Sequence, residues 1–374
     1  MISISLCMIV RNEEAVLQRC LDSIKDLVEE LVIVDTGSTD RTREIAAAYT
    51  PHVYDFPWID DFSAARNFAF DQATQEYCMW LDADDLLEEK DREAFREMKE
   101  RLTSEVDAVM LPYHIAFDET GKPTFSYERE RIVRRGLFRW QGRVHETIPV
   151  GGLVLHEKAA VCHHKVAAGD NSRNLDIYER QIAMGEPLTP RDRFYYSREL
   201  LYHQRYEEAE QQLRQFLEEG KGWRENNLEA CRCLALCCKQ LGKEEEALRA
   251  LLDSLRYDAP RAEVCCDIGL WFLEQEEYGV AVFWYELALS RTQEMTNGGF
   301  ILSECTGYIP CIQLCVCLDR LGRKEEAAAW NERAEQFRPG TEACRLNREY
   351  FRWQGILAKV PDESIGDSLK KRSS

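Results

Sequence analysis

Cys78-Met-Trp-Leu-Asp-Ala-Asp-Asp-Leu-Leu87 is a short apolar run that ends abruptly in three carboxylates. A run of this length and composition predicts a buried strand. Asp82 and Asp84 are two apart, so in extended backbone their side chains point the same way. Neighbouring carboxylates repel unless a cation or a ligand hydroxyl sits between them. One reading is therefore a hard-cation site, with Mg2+ or Mn2+ shared with substrate phosphates. The other is a helix N-cap, with Asp84 or Asp85 capping the Leu-Leu-Glu-Glu-Lys segment that ends at Lys90. On this stretch alone both stay open.

Toward the N-terminus the same kind of junction recurs. Residues 2–10 read as a strand, and Arg11-Asn-Glu-Glu14 opens a helix with Val16, Leu17, Cys20, Leu21 and Ile24 at helical spacing. Residues 31–34 form a second strand that ends in Asp35-Thr-Gly-Ser-Thr-Asp40, followed by a helix over about 41–48 and a strand near 52–54. A helix over 64–74 then leads into the strand ending at Asp82. Strands alternating with helices at this interval predict an α/β layer with a mostly parallel sheet. In such sheets ligands bind beyond the carboxyl ends of the strands, where each of these polar clusters falls.

The 374 residues carry 48 Lys and Arg against 67 Asp and Glu, a net charge of −19. So acidic a chain argues against a nucleic-acid or anionic-membrane partner. No run reaches transmembrane length and the first apolar residues are too few for a signal peptide, so the expected location is the cytoplasm. Fifteen cysteines lack paired zinc-knuckle spacings. Most lie on apolar helical faces, among them Cys231, Cys237, Cys265, Cys315 and Cys317, where a reduced thiol packs as a small hydrophobe.

Between residues 105 and 165, β-like runs appear at 108–113, 131–133 and 160–162. Residues 122–173 hold ten Lys or Arg against five Asp or Glu, and four of the seven histidines. A cationic island in an acidic chain suits a small polyanion such as a diphosphate; the plainer reading is strand-edge charge that discourages pairing.

From about residue 191 the pattern becomes helical. Tyr206-Glu-Glu-Ala209 recurs in kind as Lys243-Glu-Glu-Glu-Ala247, Tyr278-Gly-Val-Ala281 and Lys324-Glu-Glu-Ala327, at spacings of 38, 34 and 46. Paired-helix repeats of about 34 residues need a small residue where helices cross. Leu241-Gly-Lys243 and Leu321-Gly-Arg323 are the turns between helices. This segment resembles tetratricopeptide repeats, with Pro339 where that family's terminal proline falls, and a solenoid surface suits peptide binding or dimerisation. The expected domains are 1–175, 190–340, and a C-terminal helix with a polar tail over 341–374.

Cys7-Met-Ile-Val-Arg-Asn-Glu-Glu14, Ile33-Val-Asp-Thr-Gly-Ser-Thr-Asp40, Phe62-Ser-Ala-Ala-Arg-Asn67 and Leu81-Asp-Ala-Asp-Asp85, in this order, resemble family 2 glycosyltransferases of the GT-A fold. The branch most similar fuses such a domain to helical repeats and includes bacterial peptide S-glycosyltransferases. The resemblance implies a nucleotide-sugar donor, UDP-linked, held by Arg11, Glu13, Asp35, Arg66 and Asp82. It implies Mn2+ or Mg2+ on Asp84, with Asp82 and a histidine completing the shell. That histidine is His163 or His164, a question of strand parity in which His163 is favoured. Trp140-Gln-Gly-Arg-Val-His-Glu146 resembles this branch's segment for the general base, which makes Glu146 the base and His145 the second candidate. The alternative for Glu146 is a glutamate at a helix N-terminus or in a salt bridge. No Gln-x-x-Arg-Trp signature of processive synthases is present, which favours transfer of a single sugar to a peptide or protein acceptor. Transfer to a lipid-linked or cell-surface glycan precursor, with repeats that only dimerise, is the second expectation. A nucleotide-sugar-binding scaffold without turnover is the third.

Overall fold

A computed structural model of the chain describes residues 2–117, 121, 123–164, 172–291 and 301–357. Two compact units divide it, the first running to Asp253 and the second beginning at Ser254. The boundary falls inside the helical region rather than at its start.

The first unit is built on β1 (Ile4–Val10), β2 (Glu30–Asp35), β3 (Val53–Asp55), β4 (Tyr77–Trp80), β5 (Asp85–Leu86), β6 (Ala108–Phe117), β7 (Pro123–Arg134), β8 (Val154–His156) and β9 (Val161–His163). These share one sheet in the order β3-β2-β1-β4-β7-β6-β9-β5, with β8 beside β6. β3, β2, β1 and β4 run parallel. They are linked by α1 (Leu17–Ile24), α2 (Thr42–Tyr49) and α3 (Phe62–Gln72), the crossovers that parallel pairing requires. β7 enters antiparallel to both β4 and β6, which makes the sheet mixed.

Burial on both faces explains why the strands read as continuous apolar runs. On one face Ile4, Leu6, Met8 and Val10 pack with Leu17, Leu21 and Ile24. On the other, Cys7 joins Ala69, Phe70, Trp80 and Trp140. The sequence placed the first helix too early. α1 begins at Leu17, because Asn12 adopts left-handed backbone (φ 57°) and its side-chain oxygen accepts from the Thr39 amide. The Glu13 amide donates to Thr42 Oγ1, so residues 11–14 are a loop bonded to the loop after β2.

After α4 (Glu89–Arg101), the first unit ends with α5 (Arg173–Ala183), α6 (Pro190–Tyr202), α7 (Tyr206–Glu219), α8 (Arg224–Gln240) and α9 (Glu244–Asp253). The second unit holds α10 (Ala262–Glu274), α11 (Tyr278–Leu289), α12 (Tyr308–Arg320), α13 (Lys324–Phe337) and α14 (Glu342–Trp353). The recurring fragments open the second helix of each pair, and Ala209, Ala247, Ala281 and Ala327 are buried at the crossings. Gly242 and Gly322 turn the chain between helices with positive φ; Gln204 and Glu276 occupy the same conformation in the other two pairs. All fifteen cysteines are free and buried. No helix among the described residues is long and apolar enough to cross a membrane. The polar tail from residue 358 and most of the 292–306 insertion lie outside the described residues.

Candidate active site

Asp61 caps α3 by accepting from the Ala64 amide, and one turn on, α3 presents Arg66. This guanidinium is buried. Its Nε donates to Glu146 Oε1 at 2.6 Å and its Nη2 to Asp82 Oδ1 at 2.7 Å. Its carbon lies 5.0 Å from the Trp80 ring centre and 4.8 Å from that of Trp140. Burial disfavours the Arg66 charge, but Asp82 and Glu146 outweigh it and hold the proton more firmly than usual. For Asp82, burial acts upward while Arg66 and Arg131 bring the carboxyl down to about 2.

The loop carrying Glu146 is held by the same helix. Asn67 accepts from the Trp140 amide and donates to the Trp140 carbonyl, and the Phe62 amide donates to the Arg143 carbonyl. Two motifs some eighty residues apart therefore form one structure. His145 turns elsewhere. With φ 51°, its ring stacks on Tyr195 at 4.2 Å and meets Glu199 Oε1 at 2.8 Å. The structure thus separates the two candidate bases, Glu146 facing Arg66 and His145 facing α6.

β4 stops at Trp80, and the Asp85 amide donates to the Asp82 carbonyl across a turn. Asp82 and Asp84 accordingly sit in a turn, where strand parity does not apply. Neither Asp84 nor Asp85 is a cap, since α4 starts at Glu89 behind Glu88. Asp85 is instead completely buried. It accepts from Tyr113 Oη at 2.9 Å, Arg131 Nη1 at 3.0 Å and the Asp82 amide at 3.0 Å. His163 Nδ1 lies 3.3 Å from Asp84 Oδ1 and 3.2 Å from Asp85 Oδ1. Hydrogen bonds to Asp84 and Asp85 raise His163 to about 10 against the effect of burial. His163 stands opposite Asp85 in the β5–β9 register, whereas His164 stacks on Phe117.

Donor atoms of Asp84, Asp85 and His163 all lie within 4.8 Å of one another. Two carboxylate oxygens and an imidazole nitrogen fit Mn2+ or Mg2+. Asp85 is already engaged by Arg131 and Tyr113, so Asp84 and His163, each 24% exposed, are the open donors. Asp82 is drawn toward Arg66.

Glu13 joins this edge. Burial, with Asp84, Asp82 and Asp40 nearby, pushes its carboxyl up to about 7, with Arg173 opposing. Asp35 is buried at the end of β2 and accepts from the Ser38 amide with both oxygens. Arg11 is exposed just beyond β1. These residues share the carboxyl edge of the parallel strands.

Arg131, Tyr113 and Arg129 were not singled out from the sequence, and Asp85 was read there only as a possible cap. Arg131 is fully buried, 3.8 Å over Trp80 and 4.3 Å over Tyr113, and Arg129 lies 4.8 Å from Trp80. The available signal was Glu128-Arg-Glu-Arg131, whose alternation on a strand puts both arginines on one face. Other arginines of the cationic segment have local partners: Arg134 with Asp107, Arg139 with Asp71, Arg143 with Glu186, and Arg135 with the Gln75 carbonyl. Among the described residues these four are held by local partners, and Arg129 and Arg131 are the members that reach Trp80.

Residues 5–160 match the family described as Glycosyl transferase family 2. A TPR repeat-containing protein of Synechococcus elongatus is 40% identical over 160 residues, 42% of this chain and 38% of that protein. The SPbeta prophage-derived glycosyltransferase SunS of Bacillus subtilis is 28% identical over 284 residues, 71% of this chain and 65% of SunS. The lipopolysaccharide core biosynthesis glycosyltransferase LpsC of Rhizobium meliloti is 29% identical over 214 residues, 51% of this chain and 75% of LpsC. The chain thus spans less than two thirds of the first two relatives.

Proposed function

We propose that this chain, whose residues 5–160 form a family 2 glycosyltransferase domain, moves one sugar from a UDP-sugar to a peptide or protein acceptor with inversion. The observation that carries the reading is Arg66, which joins Asp82 on the donor side to Glu146 on the acceptor side. Asp35, Glu13 and Arg11 would line the nucleoside end of the donor. Asp84 and His163, with Asp82 beside them, would hold Mn2+ or Mg2+, which supplies positive charge to the leaving diphosphate. Arg66 keeps the donor-side turn and the acceptor-side loop in one register. The acceptor atom attacks the anomeric carbon as the bond from that carbon to the β-phosphate oxygen breaks. Glu146 takes the acceptor's proton. A thiol acceptor needs little of this help, since a thiolate is already a good nucleophile.

A cleft of about 340 Å3 supports a peptide acceptor. Arg191, Lys221, Trp223 and Asn226 are among the residues that line it, and Arg191 also donates to the His145 carbonyl. The Asn226 side-chain oxygen is buried without a partner. Free, buried thiols suit a reducing compartment such as the cytoplasm.

The test is UDP release from UDP-glucose and UDP-N-acetylglucosamine with Mn2+, with and without peptides bearing cysteine or serine. Peptide-stimulated release that Asp84→Ala abolishes is expected. Metal-dependent release that survives Asp84→Ala would remove the cation assignment, and unchanged transfer to oxygen by Glu146→Gln would remove the base. The likeness to LpsC favours a second reading, transfer to a glycan precursor with the repeats as a dimer contact. Stimulation by lipid-linked saccharide instead of peptide would select it.

A further inference from the structure

A second set of donors gathers at the end of β9, from Cys162 on the strand, His164 just after it and Glu88 before α4. His163 lies against Asp84 and Asp85, whereas Cys162 and His164, one residue to either side, group elsewhere. There they meet Glu88, the residue that precedes α4. One donor atom from each of Glu88, Cys162 and His164 lies within 4.8 Å of the other two.

We propose that Glu88, Cys162 and His164 form a site for a borderline-soft divalent cation, Zn2+ by preference, separate from the hard-cation site at Asp84 and His163. Thiolate sulfur, imidazole nitrogen and carboxylate oxygen together are a zinc-type donor set, whereas Mg2+ and Mn2+ favour oxygen. A tetrahedral ion would set these atoms about 3.5 Å apart, which small side-chain rotations reach. The arrangement is also held in place. Cys162 is buried and paired in register with Leu86. The His164 ring stacks on Phe117 at 5.0 Å and 8°, and its amide donates to the Asp84 carbonyl. Neither the Cys162 thiol nor a ring nitrogen of His164 has a hydrogen-bond partner among the described residues. Glu88 caps no amide with its side chain and pairs with the exposed Lys90.

Contrast supports the assignment. The cluster of Glu210, Cys238 and Glu246 is equally close, but Arg214 and Lys243 already neutralise its carboxylates. At the β9 cluster one exposed lysine, Lys90, pairs with Glu88, and Arg19 donates to the His164 carbonyl and leaves the ring free. Binding forms a metal–sulfur bond and releases the thiol proton to solvent. The ion would join β9 to the segment before α4 and so fix the strand that presents His163.

The experiment is Co2+ titration of the chelator-stripped full chain, followed by the near-ultraviolet thiolate-to-cobalt band. One saturable band that Zn2+ bleaches is expected. Cys162→Ser should abolish it, and Glu88→Gln should weaken binding about tenfold or more. Asp84→Ala and Cys238→Ser should keep it. Absence of the band in the parent chain overturns the site, as does its survival in Cys162→Ser. If Cys162→Ser does not fold, unchanged affinity in Glu88→Gln overturns it instead. Because Asp84→Ala removes only the donor-side cation, this outcome is independent of the glycosyl-transfer reading.

Discussion

The carboxyl edge of the sheet and the helix pairs both bury side chains that are unusual in a core, but of opposite kinds. At the sheet edge Arg66, Arg131, Asp35 and Asp85 lie out of water. Cys265, Cys315, Cys317, Ala281 and Ala327 fill the crossings of the second unit. A buried charge requires partners in specific directions, whereas a thiol or a methyl group requires only volume. The sheet edge therefore gathers charges that fix one another's direction, whereas these helix crossings are filled by volume.

Removing the most buried cation tests that contrast hardest. Arg131→Ala leaves Asp85 buried without its guanidinium and should cost ~3–5 kcal/mol in urea unfolding of the full chain. A loss near that of a core cysteine would erase the distinction. Asp84→Ala should reduce sugar-nucleotide turnover by about 10²-fold, ~2.7 kcal/mol in the barrier, and lower the unfolding midpoint only by the share of the His163 pairing that Asp84 supplies. Parallel loss of fold and activity would make Asp84 structural.

The pH response sharpens the comparison. His163 is raised from 6.5 to about 10 in the folded, metal-free chain. Its protonated form therefore contributes stability that is complete below pH 6.5 and lost as pH rises toward 10. The melting temperature of the first unit should fall by about 5 °C across that window, and His163→Asn should flatten the response. A slope unchanged in His163→Asn would assign it to other groups.

The helix pairs should answer with smaller effects. Cys317→Ala removes one buried sulfur and should cost ~1 kcal/mol, with donor hydrolysis unaffected. Glu276 holds left-handed backbone where two sister turns use glycine. Glu276→Gly should therefore gain about 0.5 kcal/mol net of glycine's extra unfolded freedom. Destabilisation would mean that the glutamate side chain contributes something the turn geometry does not reveal.

Much of this was legible in advance. The alternation of strands and helices, the repeat fragments and their buried alanines follow from local periodicity. Arg66 and Glu146 were named from motifs, but their contact was not, and Asp85 was read only as a possible cap. Sequence pattern shows that Asp82, Asp84 and Asp85 end a strand; it does not show that the strand stops two residues early and turns. Glu13 was assigned to a helix start because the side-chain bonds that hold its loop come from residues 38–42.

Local order is set by neighbours along the chain, so the sequence alone determined the element types, the repeats and the residue kinds available for chemistry. Partnership between charges is set by register across the sheet. Arg66 meets Glu146 eighty residues away, Arg131 meets Asp85 at a separation of 46, and His163 meets Asp85 at 78. Only the tertiary structure decided these pairs, because a shift of one residue in β9 would exchange His163 for its neighbours Cys162 and His164 at the donor edge.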